Sequence, residues 1–166
     1  MSIGGADVAK AVNAVWDAST LDATFQALWD AGASTSRFTV LNDQEAPGGQ
    51  PFPYVIFEQT AGDTTDRMTG DGATLREIRD VPIEFRVHAR EVSGDARTAK
   101  KIAADLAEAI QAVFGGHPST VPTAMTLDNG NHLITEYQTD WGLREGDAEY
   151  QWSVSYLIRI DVPLAV

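Results

Sequence analysis

The chain has 166 residues, of which 24 are Asp or Glu and 12 are Lys or Arg, giving a formal charge of −12. One domain is the simplest expectation for this length, and so acidic a surface argues against a main task of holding duplex DNA or anionic lipid. There is no cysteine, which removes disulfide and thiolate chemistry and leaves the redox compartment open.

Residues Met1 to Gly5 lack the basic start and apolar run of a signal peptide. No stretch approaches the ~20 apolar residues of a membrane helix. The expectation is a soluble protein made in the cytoplasm.

In chain order, Val8, Ala11, Val12, Val15 and Trp16 recur at helical spacing. Ser19-Thr20-Leu21-Asp22 predicts a capped start to a second helix, whose apolar side is Leu21, Phe25, Leu28 and Trp29 and whose end is Gly32. Both helices are too short to hold alone and need a sheet to pack on. Arg37 to Leu41 predicts a short strand, Asn42 to Pro53 a Gly/Pro loop, and Tyr54 to Gln59 a strand. Thr60 to Thr74 has three glycines, three aspartates and hardly any large apolar residue, which predicts a long exposed loop.

Leu75 to Arg90 is the next strand. In it Val81, Ile83, Phe85 and Val87 alternate with Pro82, Glu84, Arg86 and His88. The period then changes. Ala99, Ile102, Ala103, Leu106, Ile110, Val113 and Phe114 share one helical face, closed by Gly115-Gly116. Asp128-Asn129-Gly130-Asn131 predicts a type I′ hairpin turn between strands at Ala124–Leu127 and His132–Trp141, and Gly142 to Asp147 a second turn. From Tyr150 to Val162 the apolar residues again alternate with Gln151, Ser153, Ser155, Arg159 and Asp161. The predicted order is α-α-β-β-α-β-β, an α+β domain with an antiparallel or mixed sheet and helices on one face.

Catalytic motifs are weak throughout. His88, His117 and His132 are not at metal-ligand spacing, and His88 is expected to be a solvated residue on a polar strand face. Gly70-Asp71-Gly72 starts like a dinucleotide fingerprint but lacks its third glycine and its helix. The Asp128–Asn131 oxygens lack the alternation and closing glutamate of a calcium loop. Acid pairs such as Asp63 with Asp66, or Asp147 with Glu149, arise by chance in so acidic a chain. No catalytic, cofactor or metal site is predicted, and motif chemistry alone does not say what the protein does.

Two features suggest contacts with other chains instead. Trp16, Trp29 and Trp152 fall on core faces, whereas Trp141 is placed to anchor an interface. Arg97, Lys100 and Lys101 stand near a helix N-terminus, against the dipole and only partly offset by Asp95, and suggest either acidic partners from elsewhere, including a neighbouring copy, or an indifferent surface patch.

A family resemblance rests on the same residues. Phe52-Pro53-Tyr54-Val55-Ile56-Phe57 after a Gly/Pro loop, a Thr/Asp-rich segment, Val81 to Arg90, the Ala-rich helix from Ala96 to Phe114, a hairpin and the closing strand Tyr150 to Val162 follow one another. This order, over about residues 50 to 162, resembles the tail terminator (tail completion) proteins of long-tailed phages and phage-derived particles. The resemblance implies a single terminator-like domain without enzymatic activity, working as a homo-oligomeric ring of six. It implies a virion protein of the tail or neck, assembled in the host cytoplasm. Its partners would be the tail-tube protein and the head–tail connector or stopper, with DNA only passing through the lumen and no membrane. The residues expected at subunit or tube contacts are Asp63, Asp66, Arg67, Asp71, Glu84, Arg86, His88, Arg97, Lys100, Lys101 and Trp141. Alternatives from other classes are a different neck component, and an enzyme or small-ligand binder using the open sheet face.

Overall fold

A computed structural model describes residues 5–30, 33, 39–42, 45–60, 63–69, 75–116, 121–146 and 148–163, with the backbone alone for 5, 6, 63–69, 75 and 145. The elements are α1 (Gly5–Ala18), α2 (Leu21–Gln26), β1 (Val40–Asn42), β2 (Tyr54–Gln59), β3 (Asp63–Thr69), β4 (Leu75–Arg90), α3 (Ala99–Phe114), β5 (Asn131–Glu145) and β6 (Glu149–Pro163). The sheet runs β1-β2-β4-β6-β5, with β3 also paired to β4. Among the described strands only β1–β2 is parallel. The architecture is therefore α+β, with a mixed sheet and helices packed on it, as the alternation of periods predicts.

The two longest strands organise the rest. Every residue of β4 from Arg76 to Arg90 has a partner in β6. On the other side of β4, the residues from Ile83 to His88 pair with β2 and those from Leu75 to Asp80 with β3. Because side chains alternate across a strand, Val81, Ile83, Phe85 and Val87 join Val154, Tyr156, Ile158 and Ile160 on one buried face. Helix α3 lays Ile102, Leu106, Ile110 and Phe114 against it, and α1 adds Val8, Val12 and Trp16. Thr98 caps α3 by accepting the Lys101 amide at 3.3 Å, and Gly115, at φ 97°, ends it.

Three expectations need correction. Within Thr60 to Thr74, residues 63–69 form strand β3 and not a loop, because the long β4 offers them a free backbone edge; residues 70–74 lie outside the described set. Ala124 to Leu127 is not a strand, so Asp128 to Asn131 does not turn a hairpin. The β-hairpin closes instead around Gly146, at φ 71°, between β5 and β6, and residues 142–145, expected as a turn, belong to β5. At α2 the capping hydroxyl is that of Ser19, which accepts the Leu21 amide at 3.1 Å, while Thr20 makes no side-chain cap. Gly32, Arg37, His117 and Asp147 lie outside the described residues.

Ionisable groups tie the periphery to this frame, and their acid response is predictable. On the sheet face away from the helices, Arg159 donates two hydrogen bonds to Asp80, at 2.7 and 2.8 Å, and Arg76 two to Asp161, at 2.8 and 2.9 Å. Each guanidinium holds its carboxyl below the usual carboxylate range. His132 bridges the connector to β5: its Nδ1 accepts the Met125 amide at 3.2 Å and its Nε2 donates to Thr135 Oγ1 at 2.9 Å. Burial lowers its pKa. All three groups are depressed in the fold, so their stabilisation is present above the unfolded pKa and is lost as pH falls. The expected urea midpoint is flat near neutrality. It declines gently below 6.5, the ordinary value for His132, and more steeply below 3.8, that of the aspartates. His132→Gln removes the first decline and Asp80→Asn reduces the second; an unchanged profile in both variants contradicts these assignments.

Candidate functional site

The sheet face away from the helices is built by the residues that alternate with the core. Across it run two lateral rows, Tyr54–His88–Gln151–Leu143 and Ile56–Arg86–Ser153–Trp141. Much of this face satisfies itself. Arg86 pairs with Glu58, and Glu149 takes both His88 Nδ1, at 3.0 Å, and Arg90, at 3.3 Å. His88 is not the solvated residue expected from its strand position: it is buried, with its ring stacked on Tyr54 at 4.9 Å and 9°. A broad sheet shields its own middle, which strand periodicity alone does not reveal.

The basic cluster ahead of α3 finds its acids locally. Arg97 binds Asp95 at 2.7 Å and Asp105 at 2.9 Å, and Lys101 binds Asp105 at 2.5 Å. The Arg97 guanidinium holds the Asp95 carboxyl down at about 2. The predicted demand for acids from elsewhere is thus met at Arg97 and Lys101 within one segment, while Lys100 is exposed. This cluster lies at the start of a helix on the core side of the sheet. Glu84, Arg86 and His88 point to the opposite side, so the two sets do not merge into one patch. Asp63, Asp66 and Arg67 are on β3, whose side chains are outside the described set, and so is the whole of Asp71.

Trp141 does emerge as a surface residue, but from the middle of a strand and not from a turn. It is 46% exposed on edge strand β5, in company with Leu133 and Ile134 at 48% and Leu143 at 49%. Ile134, Trp141 and Leu143 face away from the helices, opposite Arg159, Ser153 and Gln151. Leu133 sits at a register shift between His132 and Ile134. Gly142 lets this strand lie close: a Cβ there would come within 2.7 Å of the Trp152 ring and 2.8 Å of Tyr150. Leu133, Ile134 and Leu143 were missed in the sequence. The sequence holds no signal for them, since Thr135, Tyr137, Trp141 and Leu143 are in phase by number and only the register shift between Tyr137 and Thr139 turns Trp141 and Leu143 to the other face.

A recess of about 760 Å³ lies at the end of the sheet where β2 starts and β4 stops, walled by Leu28, Pro47, Pro51, Phe52, Tyr54 and Val92. Arg90 lies 3.9 Å over the Phe52 ring. Asp30 and Glu91 stand at its rim. Among the described residues no group of three or more His, Asp or Glu is placed to hold a metal ion, and no helix is long and apolar enough to cross a membrane.

No family model and no curated protein matches this chain. Among solved structures, it is similar to a chain from the virion of a native gene transfer agent (GTA) particle. The two are 18% identical, with a TM-score of 0.48, over 95% of this chain and 99% of that one.

Proposed function

We propose that this protein is a structural component of a phage-type particle and acts as a tail terminator. Copies of the chain form a ring, six in number, that caps the tail tube, halts its polymerisation and joins it to the head. It works in the neck of the virion after assembly in the host cytoplasm, beside the tail-tube protein and a connector or stopper. The chain does no chemistry of its own.

The observation that carries this reading is edge strand β5. It is 15 residues long, pairs with β6 alone among the described strands, and exposes Leu133, Ile134, Trp141 and Leu143. A long apolar edge of this kind recruits another protein surface or aggregates. A protein meant for assembly keeps such an edge. The order of strands and helix from residue 50 to 162, which resembles the terminator family, supplies the kind of assembly. The net charge of −12 suits a lumen through which DNA slides without sticking.

Light scattering with negative-stain microscopy tests the ring. The expected result is a closed particle with a central hole and a mass near six copies at high concentration. A protein that stays monomeric at every concentration, with and without tube protein, would refute the reading.

A further inference from the structure

Resting on the ring reading, we infer that neighbouring subunits meet by inserting Trp141 and Leu143 of one copy into the Phe52–Tyr54 cavity of the next. A closed ring of identical copies needs a head-to-tail contact, in which two different patches of the same chain fit each other. The apolar knobs and the recess are two such patches, and they lie several strands apart: Trp141 and Leu143 are on edge strand β5, and the cavity is at the start of β2 and the end of β4.

Their heights agree as well. Leu143 pairs with Gln151, Gln151 with His88 and His88 with Tyr54, so the knob and a wall of the cavity end the same lateral row. Copies set side by side about a ring axis bring these two ends together without sliding along the strands. The chemistry also matches. Leucine and tryptophan are offered to the apolar part of the wall, Leu28, Pro51, Phe52 and Val92. Gln50 and Arg90 make the rest of it polar and leave a partner for the indole N–H, and a volume of about 760 Å³ holds both side chains. Buried Trp anchors of this kind carry a large share of interface energy.

The contact is tested with two variants on the two surfaces, Trp141→Asp and Ala46→Trp. Ala46 lines the cavity and is half-buried, so the larger ring fills the recess. Each variant alone is expected to weaken self-association by about thirtyfold or more. Leu143→Asp is the second knob variant, and an unchanged circular dichroism melt shows that each variant still folds. Mixed together, Trp141→Asp keeps its cavity and Ala46→Trp keeps its knobs. An equimolar mixture is therefore expected to give one-to-one dimers that extend no further.

Failure of Ala46→Trp to impair assembly, or absence of dimers in the mixture, overturns the contact. If both folded variants still form parental rings, the contact is wrong and the ring stands. If the parent never assembles, the ring reading falls and takes this inference with it.

Discussion

Phe85→Ala is expected to lower stability by about 3–5 kcal/mol, at the upper end for a single core truncation. Phe85 is fully buried at the centre of the core. Its ring lies 5.9 Å from Trp16 of α1, 5.3 Å from Phe57 of β2, 4.9 Å from Phe114 of α3 and 6.1 Å from Tyr156 of β6. Four elements therefore lose packing when one ring is removed. Neighbours already fixed in strands and helices relax only partly into the space, so a cavity term adds to the lost transfer energy. Phe85→Leu keeps most of the volume and is expected to cost about 1–2 kcal/mol. Urea unfolding reads both, as a lower midpoint with an unchanged slope. A loss below about 1 kcal/mol for Phe85→Ala would mean that the core is not organised around this ring.

The second large effect is expected at Gly130, which takes φ 140° just before β5. A Cβ there would stand 2.5 Å from the backbone carbonyl oxygen of Asp161. That oxygen belongs to β6 and is not free to move, because Asp161 pairs with both Ile78 and Asn131. Gly130→Ala therefore meets backbone strain and a backbone clash together, and is expected to cost about 1–3 kcal/mol. The damage is local. Amides at the start of β5 are expected to exchange faster with solvent, while those of β4 hold. Unaltered exchange at Asn131 to Thr135 would show that the strand start tolerates a side chain.

Gly130 also shows where sequence reading ran short. Asn129-Gly130 carries the composition of a hairpin turn, and the positive φ is real. The need for it comes instead from the close passage of a connector over β6, which is a tertiary fact. Strand β3 was hidden for a related reason. Its Thr/Asp composition lacks an apolar alternation, and it is held by the backbone edge that the unusually long β4 leaves free beyond β2. By contrast, β4, α3 and β6 were legible because each buries one face in a single core, and burial writes its period into the sequence. The candidate surface was half-legible. Trp141 stood out by its size, but Leu133, Ile134 and Leu143 gain meaning only once β5 is known to be an edge. The cluster at Arg97 pointed outward in the sequence and is answered by Asp95 and Asp105 from its own segment.

The proposed terminator role is read in the length of the tail tube. Tail-tube protein polymerising in vitro is mixed with increasing amounts of the purified chain, and lengths are scored by negative-stain microscopy. With a terminator, growth stops on addition, final length falls as the ratio of chain to tube protein rises, and a ring sits at one tube end. Tubes that keep growing past bound or unbound copies, at every ratio, would contradict that role.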